Sequence, residues 1–153
     1  MRPEPLSSVE DPDWLRLRSE LWPDCSVAEH IDEMRSFLIE LSRFAQFVVR
    51  LPELGAVGFA EASIRSDYVA GASSSPVGFL EGLYVVPLAR RRGVARALVQ
   101  EVAAWAIGMG CSELASDTEI SNTLSQAAHL RLGFTEAERI VCFNMSLSPK
   151  NDA

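Results

Sequence analysis

The sequence predicts an α/β (α+β) protein in which one sheet is flanked by helices. Three observations lead there. Strand-like alternation and 3.6-residue periodicity follow one another along the whole chain, with turn residues between them. Two strand-like stretches, Phe44 to Leu51 and Ala56 to Arg65, are joined by the turn Pro52-Glu53-Leu54-Gly55 and read as a hairpin. A third stretch, stopped by Pro87, runs through a basic, glycine-bearing turn into a long helix. At 153 residues and 48% hydrophobic, the chain suits one domain, 1–153, with a real core, and is too short for two.

In order, Met1 to Glu10 is poor in strand formers and carries Pro3 and Pro5, so any strand here is short or frayed. Asp11 can cap a helix with Pro12 at its first position, running to about Leu21 and ended by Pro23. Ser26 and Glu29 form a capping box. The helix behind it carries the stripe Ile31, Met34, Leu38 and Leu41. After the hairpin, Ser66 to Pro76 is a polar Gly/Ser loop that contains Tyr68. Leu80 to Val86 is rich in β-branched and aromatic residues. Val94, Leu98, Val102, Trp105 and Met109 recur at helical spacing. Glu113 to Thr118 is a short strand. Ser121 or Asn122 caps a helix that reaches Leu132 and stops at Gly133. Phe134 to Leu147 reads as two strands broken near Glu138. No internal repeat and no linker interrupts this order.

The strand, turn and helix of Phe79 to Met109 organise the rest. Arg90, Arg91, Arg92, Gly93, Val94 and Ala95 open the helix. A helix that starts in a turn aims free N–H groups and its positive dipole end at whatever sits there, which favours phosphate. A glycine lets the backbone approach with no side chain between. The alternative is an ordinary turn with a solvated arginine run. No G-x-x-x-x-G-K-[ST] and no G-x-G-x-x-G is present, so neither a Walker loop nor a dinucleotide fingerprint applies. Arg90-x-x-Gly93-x-Ala95 resembles the [Q/R]-x-x-G-x-[G/A] signature of the GNAT acetyltransferase superfamily, and the flanking strand and helix are those of that motif. The resemblance implies the GNAT fold: a central mixed, mostly antiparallel twisted sheet flanked by helices and splayed between its two central strands. It also implies acetyl-CoA as acetyl donor, with its pyrophosphate on the turn.

Composition narrows the function classes. Net charge is −7, from 21 acidic and 14 basic side chains, which disfavours nucleic acid as a partner. Four of the 14 basic residues, Arg90, Arg91, Arg92 and Arg96, crowd one turn. That distribution suits an anionic cofactor there and a cationic substrate elsewhere; general solubility is the plainer account. No apolar run is long enough to span a membrane and no secretory signal opens the chain, so a cytoplasmic protein is expected. Cys25, Cys111 and Cys142 are odd in number and far apart, which fits idle thiols in a reducing compartment better than disulfides. The two histidines and scattered cysteines offer no metal-ligand spacing, so no metal is expected.

Further stretches carry a closer resemblance, to the aminoglycoside 6′-N-acetyltransferases of the small, dimeric bacterial type. They are Leu21-Trp22-Pro23, Ala62 to Gly71, Ser74 to Pro87, Arg90 to Ala95, Glu113 to Thr118 and His129 to Arg139. This resemblance implies transfer of the acetyl group to the 6′-amine by direct attack in a ternary complex, with drug resistance as the outcome. It implies that pantetheine lies against the backbone of Leu83, Tyr84 and Val85, with the Val85 N–H donating to the thioester oxygen. Pyrophosphate would meet the backbone of Arg91, Arg92, Gly93, Val94, Ala95 and Arg96, and Asn122 would touch the cofactor near its pantetheine arm. Trp22, Tyr68, Glu81, Asp117 and Glu138 would bind the cationic aminoglycoside. A homodimer through the C-terminal strands is implied as well.

The chemistry asks for these residue types. A protonated amine cannot attack, so a base or water must take its proton. The carbonyl oxygen gains charge and needs a donor. A polyamine sugar needs carboxylates for its ammonium groups and flat rings for its sugar faces. Glu81 and Asp117 are expected near the middle of neighbouring strands, where either can take the proton. Gly82, inside a strand, marks a bulge or a close backbone approach. Plain readings stand beside these: a cap or salt bridge for Asp117, core packing for Trp22. Many GNAT enzymes carry Y-x-x-x-G-F, whose tyrosine protonates the thiolate; here His129 takes that position, as a proton donor or as a spectator. The alternatives to aminoglycoside acetylation are a GNAT enzyme for another amine, such as a polyamine or peptide N-terminus, and a non-enzymatic acetyl-CoA-sensing module.

Overall fold

The computed structural model describes residues 1–148. Strand β1, Glu4–Pro5, is only two residues long, as its prolines lead one to expect. Helix α1, Pro12–Leu21, is capped by Asp11, whose carboxylate accepts from the Asp13 N–H. Helix α2, Val27–Ile39, starts with the Ser26–Glu29 capping box, both bonds present. Then come β2, Phe44–Leu51, β3, Gly55–Arg65, and β4, Val77–Val85. A single 3-10 turn, Pro87–Ala89, leads to α3, Val94–Gly108. Strand β5, Leu114–Ala115, and helix α4, Thr123–Arg131, capped by the Asn122 side chain, complete the regular elements.

The sheet order is β1-β2-β3-β4-β5, antiparallel through β4, with β5 parallel to β4. Alternation on the strands sorts side chains into two layers. Phe47, Val49, Leu51, Val57 and Leu80 pack on Val94, Leu98 and Val102 of α3. Val48 and Phe59 face Trp14 and Leu17 of α1 and Met34 of α2 on the other side. Each fully buried Leu or Phe contributes about 1.5–3 kcal/mol relative to exposure.

Three expectations need correction. Leu41 lies beyond the end of α2 and is exposed; His30 and Met34 are the buried residues of that helix. Strand β5 covers two residues rather than Glu113 to Thr118. Phe134 to Leu147 forms no strand, and Ile140, Val141, Phe143, Met145 and Leu147 are exposed. The pattern of residues 141–147 alternates like a strand, but alternation only supplies a face. A ladder also needs a neighbour, and β5 offers two residues of edge.

Candidate active site

The turn before α3 leaves the helix start without a side-chain cap. Gly93 is the cap of α3 in the left-handed region, φ +85. The space where a Cβ would sit is open, so conformation rather than crowding requires glycine here. Arg91 is also left-handed, at φ +62. Successive amides of such a turn form a concavity with the first-turn N–H groups of Val94, Ala95 and Arg96. Most of the arginine heads have protein partners. Arg90 Nε donates to the Val85 carbonyl (3.0 Å), Arg92 pairs with Glu53 (2.7 Å) and Arg96 donates to the Arg131 carbonyl (3.1 Å). Among the described residues the Arg91 head makes no hydrogen bond or ion pair, and it is exposed. The backbone is therefore the main donor set of the turn.

Next to it the sheet opens. Strands β4 and β5 pair only at Gly78 with Leu114 and Phe79 with Ala115, and separate beyond that point. A splay is thus present, and in this sheet it lies between β4 and the edge strand β5 rather than between two central strands. The Val86 N–H donates to the Val57 carbonyl (2.8 Å), toward β3. Alternation then turns the Val85 N–H to the open side. Leu83 and Val85 pack with the α3 layer and Tyr84 with the α1 layer, so these three offer the gap mainly their backbone. Burial raises the Tyr84 hydroxyl above its usual value, and Glu20 beside it adds to that.

Glu81 is the extra residue of a β-bulge: Glu61 faces Gly82, and the next pair is Ala62 with Leu80. The bulge turns Glu81 outward, where its carboxylate accepts from the Ser63 hydroxyl (2.6 Å) and from Arg65 Nη2 at 2.8 and 3.0 Å. Glu81 is therefore already neutralised within the protein. Both readings of Gly82 hold together. A Cβ there would stand 2.6 Å from Trp22 Cη2, so the Trp22 ring lies directly on the strand. Trp22 is half-buried, edge-on to Phe59, with the Arg18 guanidinium 4.8 Å from its ring centre.

Asp117 is not mid-strand. It follows β5 by two residues and is exposed. Counting on from the Phe79–Ala115 pair brings it level with Glu81 across the gap. Among the described residues its carboxylate makes no hydrogen bond or ion pair, which leaves it the freer acid of the two. His129 donates from Nδ1 to the Ser125 carbonyl (2.7 Å), since a carbonyl can only accept. Its Nε2 faces the Ser116 hydroxyl at 2.8 Å, and the ring stands edge-on to Phe134. As a neutral imidazole it accepts from Ser116; only as imidazolium does it have a second proton to give. Asn122 uses its side-chain oxygen to cap α4 through the Ser125 N–H (3.1 Å).

Tyr68 is 84% exposed on its loop, anchored next door by buried Val69. Glu138 accepts from the Gly71 N–H (2.9 Å), tying the tail to that same loop. At the loop's far end Glu113 accepts from the Ser73 N–H (3.0 Å) and the Ser74 hydroxyl. These bonds, the Ser74 hydroxyl first, hold the Glu113 carboxyl below the usual carboxylate range. Cys25, Cys111 and Cys142 are all free thiols, and burial raises Cys111. Among the described residues no three metal-ligating side chains converge, and no helix is long and apolar enough to cross a membrane.

Sequence reasoning missed Arg65, Ser63 and Ser116, and the buried group of Arg18, His30 and Glu61. A glutamate inside the apolar run Ala56 to Ala62 was the one available signal for Glu61. The others meet their partners only through the sheet register.

A family model for the acetyltransferase (GNAT) family matches residues 13–134. Aminoglycoside N(6')-acetyltransferase type 1 of Serratia marcescens is 48% identical over 134 residues, 88% of this chain and 91% of its own. The protein of that name from Acinetobacter haemolyticus is 43% identical over 147 residues, 96% of this chain and 99% of its own. The crystal structure of apo AAC(6')-IG from Acinetobacter haemolyticus matches with a TM-score of 0.90 at 42% identity, over 97% of this chain and 100% of that one. AAC(6')-Iy, in complex with the bisubstrate analogue CoA-S-monomethyl-acetylneamine, matches with a TM-score of 0.87 at 40% identity, over 94% and 97% of the two chains. A chain whose strands β4 and β5 part beside an uncapped, glycine-started helix, and which matches such proteins almost end to end, belongs to the GNAT acetyltransferase family.

Proposed function

We propose that this chain transfers the acetyl group of acetyl-CoA to the 6′-amine of aminoglycoside antibiotics in a ternary complex, and so confers resistance to them. One observation carries this. The β4–β5 gap has an anion cradle at one end and carboxylates level with each other at the other, in a chain that aligns over 94% of its length with a protein bound to a CoA–aminoglycoside bisubstrate analogue. Acetyl-CoA, when bound, supplies a thioester carbonyl open to attack by a neutral amine. The backbone of Arg91, Arg92, Gly93, Val94, Ala95 and Arg96 holds its pyrophosphate. The backbone of Leu83, Tyr84 and Val85 lines its pantetheine arm, with Asn122 beside it. The Val85 N–H stabilises the charge that grows on the carbonyl oxygen.

Asp117 receives the reacting ammonium end and takes its proton directly or through water. Glu81, shared with Arg65, binds a second ammonium group, while Trp22 and Tyr68 cover sugar faces and Glu138 closes the site from the tail. His129, when protonated, passes a proton through the Ser116 hydroxyl to the leaving thiolate. Residues 1–153 act as one domain in the cytoplasm. The exposed apolar tail, 140–147, pairs with a second copy, since a run of exposed apolar side chains is otherwise an aggregation hazard. Light scattering at micromolar concentration should give a dimer mass; a monomer refutes the pairing. The test of the activity is NMR of the product of an aminoglycoside incubated with acetyl-CoA. A new amide at the 6′-nitrogen supports the proposal, and acetyl at any other position overturns it.

A further inference from the structure

Beneath Trp22 lies a polar group that the proposed chemistry does not use. Arg18 is 1% exposed, Glu61 3% and His30 fully buried. The Glu61 carboxylate accepts from Arg18 Nη1 (2.6 Å to Oε2) and from Trp14 Nε1 (2.9 Å). Burial pushes the Glu61 carboxyl up, and the Arg18 guanidinium pulls against that. Arg18 Nη2 donates to Glu33 at the edge of the cluster, and Arg18 Nε donates to His30 Nδ1 (3.1 Å). An Arg Nε–H can only donate, so Nδ1 is bare and the His30 proton is on Nε2. That Nε2–H meets the Trp22 carbonyl at 3.2 Å.

The group therefore grips Trp22 from two directions. His30 holds its backbone and Arg18 lies against its ring, while Phe59 and the bare backbone of Gly82 pack on it from two further sides and leave it half-buried. Glu61 also stands opposite Gly82 at the bulge that turns Glu81 outward. Burying such charges costs free energy that a packed apolar set of the same volume would not. Stability alone is thus a poor reason for these residue types. Directional bonds fix one arrangement where apolar contacts allow several.

We propose that Arg18, His30 and Glu61 are positioning residues for aminoglycoside recognition, setting the Trp22 ring against Gly82 so that it presents one fixed face to the substrate. The inference rests on the reading that Trp22 contacts the aminoglycoside. Its test is steady-state kinetics on the full chain with both substrates varied. His30→Leu removes both His30 bonds and should raise the aminoglycoside KM about five- to tenfold, the effect of one or two net hydrogen bonds. The acetyl-CoA KM and kcat should stay within about twofold. His30→Gln, which retains an acceptor and a donor, should recover most of the loss. In a Trp22→Ala background, His30→Leu should add less than about twofold, because the group it positions is gone.

Fully additive effects, or parallel rises in both KM values, overturn the inference and leave the cluster a structural one. An unchanged aminoglycoside KM in Trp22→Ala alone overturns the reading of Trp22, and the inference with it. Should His30→Leu fail to fold, Glu33→Gln weakens the same clamp from its exposed end. It should raise only the aminoglycoside KM, by about twofold to threefold, and no such selective rise overturns the inference.

Discussion

Gly82→Ala tests the seating of Trp22 most sharply. The new Cβ would stand 2.6 Å from Trp22 Cη2 and 2.9 Å from Cζ2. Ordinary contact begins at 3.4 Å, so the ring must retreat by at least about 0.8 Å. It cannot do so alone, because Phe59 stands at its edge and the Arg18 guanidinium on its face. Overpacking of this kind costs about 1–3 kcal/mol, partly offset by the gain of about 0.5–1 kcal/mol when alanine replaces glycine in a strand. The protein should stay folded with a lowered melting temperature. A displaced platform forfeits about 1–2 kcal/mol of sugar-ring contact, which is about five- to thirtyfold in the aminoglycoside KM. The Cβ points toward α1 and away from the strand gap, so the acetyl-CoA KM should move by less than about twofold. Steady-state kinetics with each substrate varied in turn decides. A folded variant whose aminoglycoside KM is unchanged, or whose two KM values rise together, refutes the reasoning.

Other perturbations address the remaining parts of the site. Gly93→Val forces a β-branched residue to φ +85 and should either strain the turn by about 1–3 kcal/mol or misdirect its amides. Calorimetry should show a much larger loss of acetyl-CoA affinity than for Arg91→Ala, whose exposed head is worth about fivefold or less; equal losses contradict a backbone cradle. Asp117→Asn should raise the aminoglycoside KM clearly and lower kcat by about a hundredfold, the small end of what a positioned base contributes. If the acidic limb of the rate profile stays fixed for two aminoglycosides whose 6′-amines differ in basicity, yet vanishes in this variant, Asp117 is instead the essential base.

The loop bonds of Glu113 give a pH prediction. Its folded value lies below its unfolded one, so the bonds are in place above the ordinary carboxylate range and are lost as pH falls through the depressed value. The Ser73 amide shift in NMR should titrate below the value of a free glutamate. An inflection at or above the free glutamate value would contradict the assignment.

What could be read from the chain was what local chemistry decides. Asp11 with Pro12, the Ser26–Glu29 box and Asn122 mark helix starts through bonds to residues two or three positions away. The glycine turn announced α3 in the same manner, and a glycine within a strand announced the bulge at Glu81. Apart from the end of α2, which stops before Leu41, the misses are long-range. Arg65 neutralises Glu81 because two strands bring positions 16 apart side by side. Asp117 falls outside β5 because the strands part after two pairs, which no local residue states. Glu61 lies 43 positions from Arg18, and nothing at either position names the other. The tail has the period of a strand, yet period specifies a face and not a neighbour.

The central claim is that the acceptor is the 6′-amine of an aminoglycoside. The most direct measurement compares kcat/KM, with acetyl-CoA saturating, for a matched pair of aminoglycosides that carry an amine or a hydroxyl at the 6′-position. The account predicts turnover with the amine and none above background with the hydroxyl. Comparable turnover of both, or a higher kcat/KM for a simple polyamine than for the 6′-amino drug, would contradict it.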